Sequence, residues 1–195
     1  MSIELPTSEV EVVLADTRAW LERAVIGLEL CPFARAVYIG DRIRFSVSAA
    51  RGEDALLEDL MRELSILDST PEQRCETTLL IHPRVLSDFM DYNAFLDVAD
   101  RKVDSLGLRG EIQIASFHPR YQFAGTAPDD IGNYTNRSPY PMLHLLREES
   151  ISAVAGDPAA LHEIPRRNVE TLRSVGLEGM LKKLKAIGEG SEPQA

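Results

Sequence analysis

The chain has little of what would build a disulfide framework, a membrane span or a basic surface. Its two cysteines, Cys31 and Cys75, cannot build a framework of several disulfides. Its N-terminal residues lack the charged, apolar and small-residue layout of a secretory signal, so a reducing cytoplasm is the expected compartment. No apolar run approaches the roughly 18 residues that a membrane span needs; they are short stretches such as Leu79-Leu80-Ile81. Lysine is scarce, with 4 Lys against 17 Arg, and the 21 bases face 31 acids for a formal net charge of −10. That balance argues against nucleic acid or an anionic membrane as the main partner. Glycine-rich phosphate loops, paired-cysteine zinc motifs and a Gly-x-Ser-x-Gly elbow are absent, which disfavours nucleotide-dependent and serine-hydrolase chemistry.

What is present describes one globular domain. A length of 195 residues, 44% hydrophobic and 27% charged, fits a single domain over 1–187 with a disordered tail at 188–195. The charge is uneven. Residues 111–147 carry three acids and three bases, whereas residues 1–110 carry 20 and 12. A neutral island therefore sits in an acidic chain.

Ser8 and Glu11 form a capping-box signal before apolar positions at helical spacing as far as Leu28. Arg42 to Ser48 alternates polar and apolar, as a strand does. Glu53 to Leu67 has a helical apolar stripe, and Thr77 to Ile81 reads as a buried strand. Ser87 is placed to cap a third helix that Gly107 stops, and Ile112 to Phe117 is the third strand. Ser138 and Pro139 look like the N-cap and first residue of a further helix through about Glu149. Pro165 is expected to open another helix that Gly176 ends, and a last amphipathic helix carries Leu177, Met180, Leu181, Leu184 and Ile187. The fold class implied is α/β: a small three-stranded β-α-β-α-β sheet with helices packed on it and further helices at the C-terminus. A ferredoxin-like α+β fold with a mixed sheet is the alternative.

The second and third strands end in the same triplet, His82-Pro83-Arg84 and His118-Pro119-Arg120. Proline has no amide to give a ladder, so each histidine is fixed at a strand end. If the strands are parallel, both triplets lie at the edge where open α/β sheets hold ligands. Each histidine can equally serve as a strand cap. From His118 to Ser138 no secondary-structure period appears, yet the stretch is rich in aromatics, which marks an ordered loop rather than disorder.

At helical spacing, Tyr140, His144 and Arg147 would share one arc, and the helix N-terminus beside Arg137 would be an anion site. A small-molecule pocket for an anionic ligand, or an enzyme site, is the leading reading. His118 would be the general acid or base, with His144 beside it and Asp129 or Asp130 to orient it. Tyr121, Asn133, Asn136, Arg137, Ser138 and Arg147 would line it. A metal site using His82, His118 and His144 with Asp129 is a second reading, although no recognised ligand spacing is present. A third is an adaptor whose Tyr- and Arg-bearing loop binds a partner.

The strings His118-Pro119, Tyr121, Phe123-Ala124-Gly125-Thr126, Thr135-Asn136-Arg137-Ser138-Pro139-Tyr140-Pro141 and His144-Leu145-Leu146-Arg147-Glu148 form one particular pattern. With Leu30-Cys31-Pro32-Phe33-Ala34 and Glu76-Thr77-Thr78-Leu79-Leu80, the chain from about Trp20 to Gly176 resembles a bacterial family, with plastid relatives, catalogued as Domain of Unknown Function 1415. The resemblance implies a soluble single-domain protein and carries no reaction, substrate or cofactor. Cys31-Pro32-Phe33-Ala34 also resembles the active-site tetrapeptide of omega-class glutathione transferases and some glutaredoxins, where a helix start lowers the thiol pKa. Here the cysteine follows a long helix, and the alternative is a packed cysteine with Pro32 ending that helix.

Overall fold

Thr77–Ile81, the second strand (β2), has all five residues buried, and the sheet is built around it. The computed structural model describes residues 5–150 and 158–188. β1 (Ile43–Val47) runs parallel to β2, with Ile43 opposite Thr77 and Val47 opposite Ile81. β3 (Ile112–Phe117) points the same way but is not the next neighbour. A fourth strand, β4 (Met142–Arg147), lies between β2 and β3 and is antiparallel to both, so the order is β1-β2-β4-β3. The α/β class stands. The three-stranded sheet does not, because the sheet has four strands and is mixed.

The segment expected to be helical from Ser138 is this fourth strand. Ser138 and Tyr140 each precede a proline, and a residue before proline is pushed away from the helical region towards extended backbone. Two such positions in succession outweigh the N-cap signal of Ser138. Pro141 then stands just ahead of the ladder, where its missing amide costs nothing. A central strand covered on both faces reads as a nearly continuous apolar run, and a short run of that kind has no period that separates strand from helix.

Alternation sorts the sheet's two faces. Leu80, Leu143, Leu145 and Ile112 pack under α3 (Glu53–Ser69) and α4 (Phe89–Ser105). Leu56, Leu60, Leu64 and Leu67 form the buried stripe of α3, each fully covered and each contributing about 2 kcal/mol of apolar burial. The other face carries Leu79, Ile81, Met142 and Phe117. It is covered by α1 (Thr7–Trp20) and the π-helical turn Leu21–Ile26 that continues it, with the short α2 (Ala34–Ile39) beside them. α5 (Pro158–Gly188) packs on α1, on that turn and on a 3-10 turn at Ile131–Thr135. Its Leu172 and Met180 close a small core with Leu30.

Several local expectations shift. α1 begins at Thr7 with Pro6 in the cap position and no side-chain cap, so the Ser8–Glu11 box does not form. Asp88 rather than Ser87 caps α4, its Oδ1 accepting from the amides of Met90 at 2.8 Å and Asp91 at 3.4 Å. Pro165 lies inside α5, and Gly176, at φ 71°, breaks that helix as its sequence position suggested. The side chains of Leu184 and Ile187, and the tail beyond Gly188, lie outside the described residues. Among the described residues no helix is long and apolar enough to cross a membrane.

Candidate functional site at the C-terminal edge of the sheet

β2 and β3 both run antiparallel to β4, so His82 and His118 do lie at the same edge. The chain from Asn136 to Pro141 crosses that edge. The amide of His118 donates to the Asn136 carbonyl at 3.1 Å and that of His82 to the Pro141 carbonyl at 3.0 Å. Both imidazoles turn to the α3/α4 face and pack against Tyr92, with ring centroids 5.8 Å (His82) and 5.1 Å (His118) from it. The Tyr92 hydroxyl accepts from the Phe117 amide at 3.0 Å and donates to the Met142 carbonyl at 2.8 Å, tying β3 to β4 at their ends.

Both nitrogens of His118 are engaged by backbone. Nε2 donates to the Leu86 carbonyl at 3.2 Å, and Nδ1 accepts from the Arg120 amide at 3.0 Å. Burial holds this imidazole below its usual range, with the Leu86 carbonyl pulling the other way. Neither Asp129, which is exposed, nor Asp130, whose Oδ1 accepts from the Gly132 amide at 2.7 Å, is among its ring partners. His82 donates from Nδ1 to the Val85 carbonyl at 3.0 Å, while its buried Nε2 has no partner. Desolvation lowers its pKa to about 4.

His144 is elsewhere. It lies mid-strand opposite Leu79 and Ala115, on the α1 face. Its Nε2 donates to Thr77 Oγ1 at 2.7 Å, and that hydroxyl donates to the Leu145 carbonyl at 2.6 Å. Desolvation takes its pKa to about 4 as well. Strand alternation therefore places His82 and His118 on one side of the sheet and His144 on the other, so the three do not converge. Among the described residues no group of three or more His, Cys, Asp or Glu is placed to hold a metal ion.

The two arginines expected to clamp an anion are separated by β4, whose six residues span roughly 20 Å. With no helix at Ser138, its N-terminal anion site disappears too. Arg147 turns to the C-terminus of α3 and donates to the carbonyls of Leu67, Thr70 (2.6 Å) and Cys75 (3.4 Å). It lines a cleft of about 340 Å³ at the opposite edge of the sheet, with Asp68, Thr70, Glu72, Glu111 and Glu149. Arg137 donates to the carbonyls of Tyr121 (3.2 Å) and Pro128 (2.6 Å) and lies over the Tyr134 ring at 4.4 Å.

The rest of the His118–Ser138 loop is held in the same inward manner. Asn133 is fully buried, accepts from the Phe123 amide at 3.0 Å and Thr126 Oγ1 at 2.9 Å, and donates to the Ala127 carbonyl at 2.8 Å. Asn136 donates to the Ser116 carbonyl at 3.0 Å, and Ser138 to the Tyr140 carbonyl at 2.6 Å. The loop's polar side chains hold its own backbone. Tyr121 sits between Phe89 and Phe123, with centroids 5.1 and 5.0 Å away.

A polar centre does exist at this edge, on the α1 side. Glu9, Val13, Asp16 and Trp20 follow at spacings of four, three and four along α1 and so share a stripe. Trp20 Nε1 donates to the Arg137 carbonyl at 3.0 Å, and the Tyr140 hydroxyl donates to Asp16 Oδ2 at 2.7 Å. Asp16 is only 9% exposed, and its Oδ1 is buried with no partner. Burial and the accepting Asp16 carboxylate push the Tyr140 phenol well above its ordinary range, so it stays a donor; the Glu9 charge adds to this. Glu9 in turn receives both Arg84 Nε (2.8 Å) and Nη2, which brings the arginine of the first His-Pro-Arg triplet to this place. Asp16 was missed in the sequence. The signal was there: an acid between Val13 and Trp20 falls on the apolar stripe, and a charge on a buried face is the informative exception.

Cys31 is half-buried, and burial raises its thiol pKa against the lowering effect of the Phe33 and Ala34 amides. That agrees with a packed cysteine. Cys75 is buried, with Sγ 3.6 Å from the Thr77 carbonyl.

A family model described as a protein of unknown function, DUF1415, matches residues 12–182. No curated protein and no solved structure matches the chain.

Proposed function

Since this chain belongs to the DUF1415 family, whose description assigns no reaction, we propose from its own geometry that the C-terminal edge of the sheet binds a small polar molecule. The ligand meets Asp16 and Tyr140 between α1 and the Arg137–Pro141 segment, with Glu9 and Arg84 at the rim. The observation that carries this reading is the Asp16 carboxylate, nine-tenths buried with one oxygen held by Tyr140 and the other unpaired. A buried carboxylate oxygen without a donor costs several kcal/mol, so a fold that keeps one there gains something by it.

His118 and His82 contribute by position. They pin the loop from β2 to α4 and so fix the edge against which the ligand lies. A metabolite library screened by thermal shift tests the reading. It is supported by a compound that stabilises the wild-type chain and leaves Asp16→Asn unmoved. It is overturned if every stabilising compound acts equally on both, or if none acts.

A second reading, the loop as a partner-binding surface, is favoured by the Phe89–Tyr121–Phe123 stack and by the exposure of Phe123 (38%) and Met90 (68%). Aromatics held rigid at a surface bind at low entropic cost. A photo-crosslinking residue at position 123 should give one discrete adduct in cell extract, and none if the strip is only a loop cover.

A further inference from the structure

We propose that the group bound at the Asp16–Tyr140 centre is a primary ammonium, an inference that rests on the ligand site proposed above. The Tyr140 proton is committed to Asp16 Oδ2, so the free valences of the pair are Oδ1, the remaining lone pairs of Oδ2 and those of the phenol oxygen. All of them accept and none donates. A carboxylate, phosphate or carbonyl presented here would meet only lone pairs, whereas an ammonium offers three N–H donors to the same positions.

Charge points the same way. Asp16 takes part in none of the ion pairs among the described residues. The arginines of this edge and Arg18 have other partners: Arg84 holds Glu9 through two nitrogens, Arg137 holds the Tyr121 and Pro128 carbonyls, and Arg18 lies over the Phe45 ring. Glu9, Asp16 and Arg84 together therefore carry one uncompensated negative charge, centred on the buried carboxylate. A buried charge is tolerated when it is paired, and a cationic nitrogen both pairs it and fills Oδ1.

Oδ1 is shut away from solvent, so the ammonium enters only when the Arg137–Pro141 segment gives way. The contact that reports this is the Trp20 indole bond to the Arg137 carbonyl, 3.0 Å long. Trp20 is the one tryptophan in the chain, so its indole N–H gives a single, unmistakable NMR resonance.

The full chain, 15N-labelled, is titrated at matched ionic strength with propylammonium, tetramethylammonium and phosphate. Propylammonium is expected to move the Trp20 indole resonance saturably. Tetramethylammonium, which has the charge but no N–H, should bind at least about tenfold more weakly, the worth of one charge-assisted hydrogen bond. Asp16→Asn should abolish the propylammonium response. Equal responses to the two cations overturn the ammonium assignment. A saturable response to phosphate instead also overturns it while leaving a ligand site at this edge. If no probe moves the resonance, the ammonium assignment fails, and the library screen decides the site separately. The comparison of probes on the wild-type chain stands whether or not Asp16→Asn folds.

Discussion

His118 holds the carbonyl of Leu86 at 3.2 Å, and Leu86 has a φ of 57°, in the left-handed region that a leucine rarely adopts. A branched-chain residue there costs about 1–2 kcal/mol. The imidazole is one of the groups that over-determines it. His118→Ala should therefore leave the Leu86 carbonyl and the Arg120 amide without partners and open a cavity beside Tyr92. The expected loss is about 2–4 kcal/mol in urea unfolding, with hydrogen exchange rising first in residues 82–88. Loss of a purely chemical histidine would leave stability within about 0.5 kcal/mol.

Acid should weaken the fold through His82 and His144. Both are held near pKa 4 against a usual 6.5, so between these values the unfolded chain binds their protons and the folded chain does not. Stability is thus complete above about pH 6.5 and falls as pH drops towards 4, by on the order of 2 kcal/mol per ring at pH 5. Urea unfolding across this window checks it. A slope unchanged in the double variant His82→Gln/His144→Gln would contradict it.

Arg147→Met should cost about 2–4 kcal/mol, because the carbonyls of Leu67, Thr70 and Cys75 lose their shared donor at the end of α3. Arg147→Lys should recover more than half of this, since all three bonds leave the single Nη2 and an ammonium carries three donors of its own. Chemical denaturation measures both.

Glu29 is exposed and has a φ of 54° just after the π-helical turn. Glycine takes that conformation without strain, so Glu29→Gly should stabilise by about 0.5–1 kcal/mol despite its entropy cost. A lower melting temperature would show that the side chain holds something more.

Much of this was readable in the sequence. β1, β2, β3 and the helices between them follow from alternation and apolar stripes, and the twin His-Pro-Arg triplets do mark one edge. β4 was hidden because Met142, Leu143, Leu145 and Leu146 fit one side of a helix as well as a strand covered on both faces. The decisive clue was Tyr140 before Pro141, which together with Ser138 before Pro139 disfavours the helix that Ser138 and Pro139 invite. Within the candidate site, His118 and Arg137 have the residue types of a catalytic or anion site, but long-range backbone partners such as Leu86 and Pro128 cannot be inferred from local spacing. Asp16 could have been found by asking why a carboxylate sits among Val13, Thr17 and Trp20.

The place of β4 in the sheet bears on how the chain is made. Among the described residues β3 has a hydrogen-bonded neighbour only in β4, and β4 follows it after the whole His118–Ser138 loop. During synthesis β1 and β2 can pair as soon as they emerge, but β3 waits, with both edges bare, until Arg147 has left the ribosome. A nascent chain stopped inside the loop therefore carries an open strand next to exposed aromatics, the combination most prone to pairing with another chain.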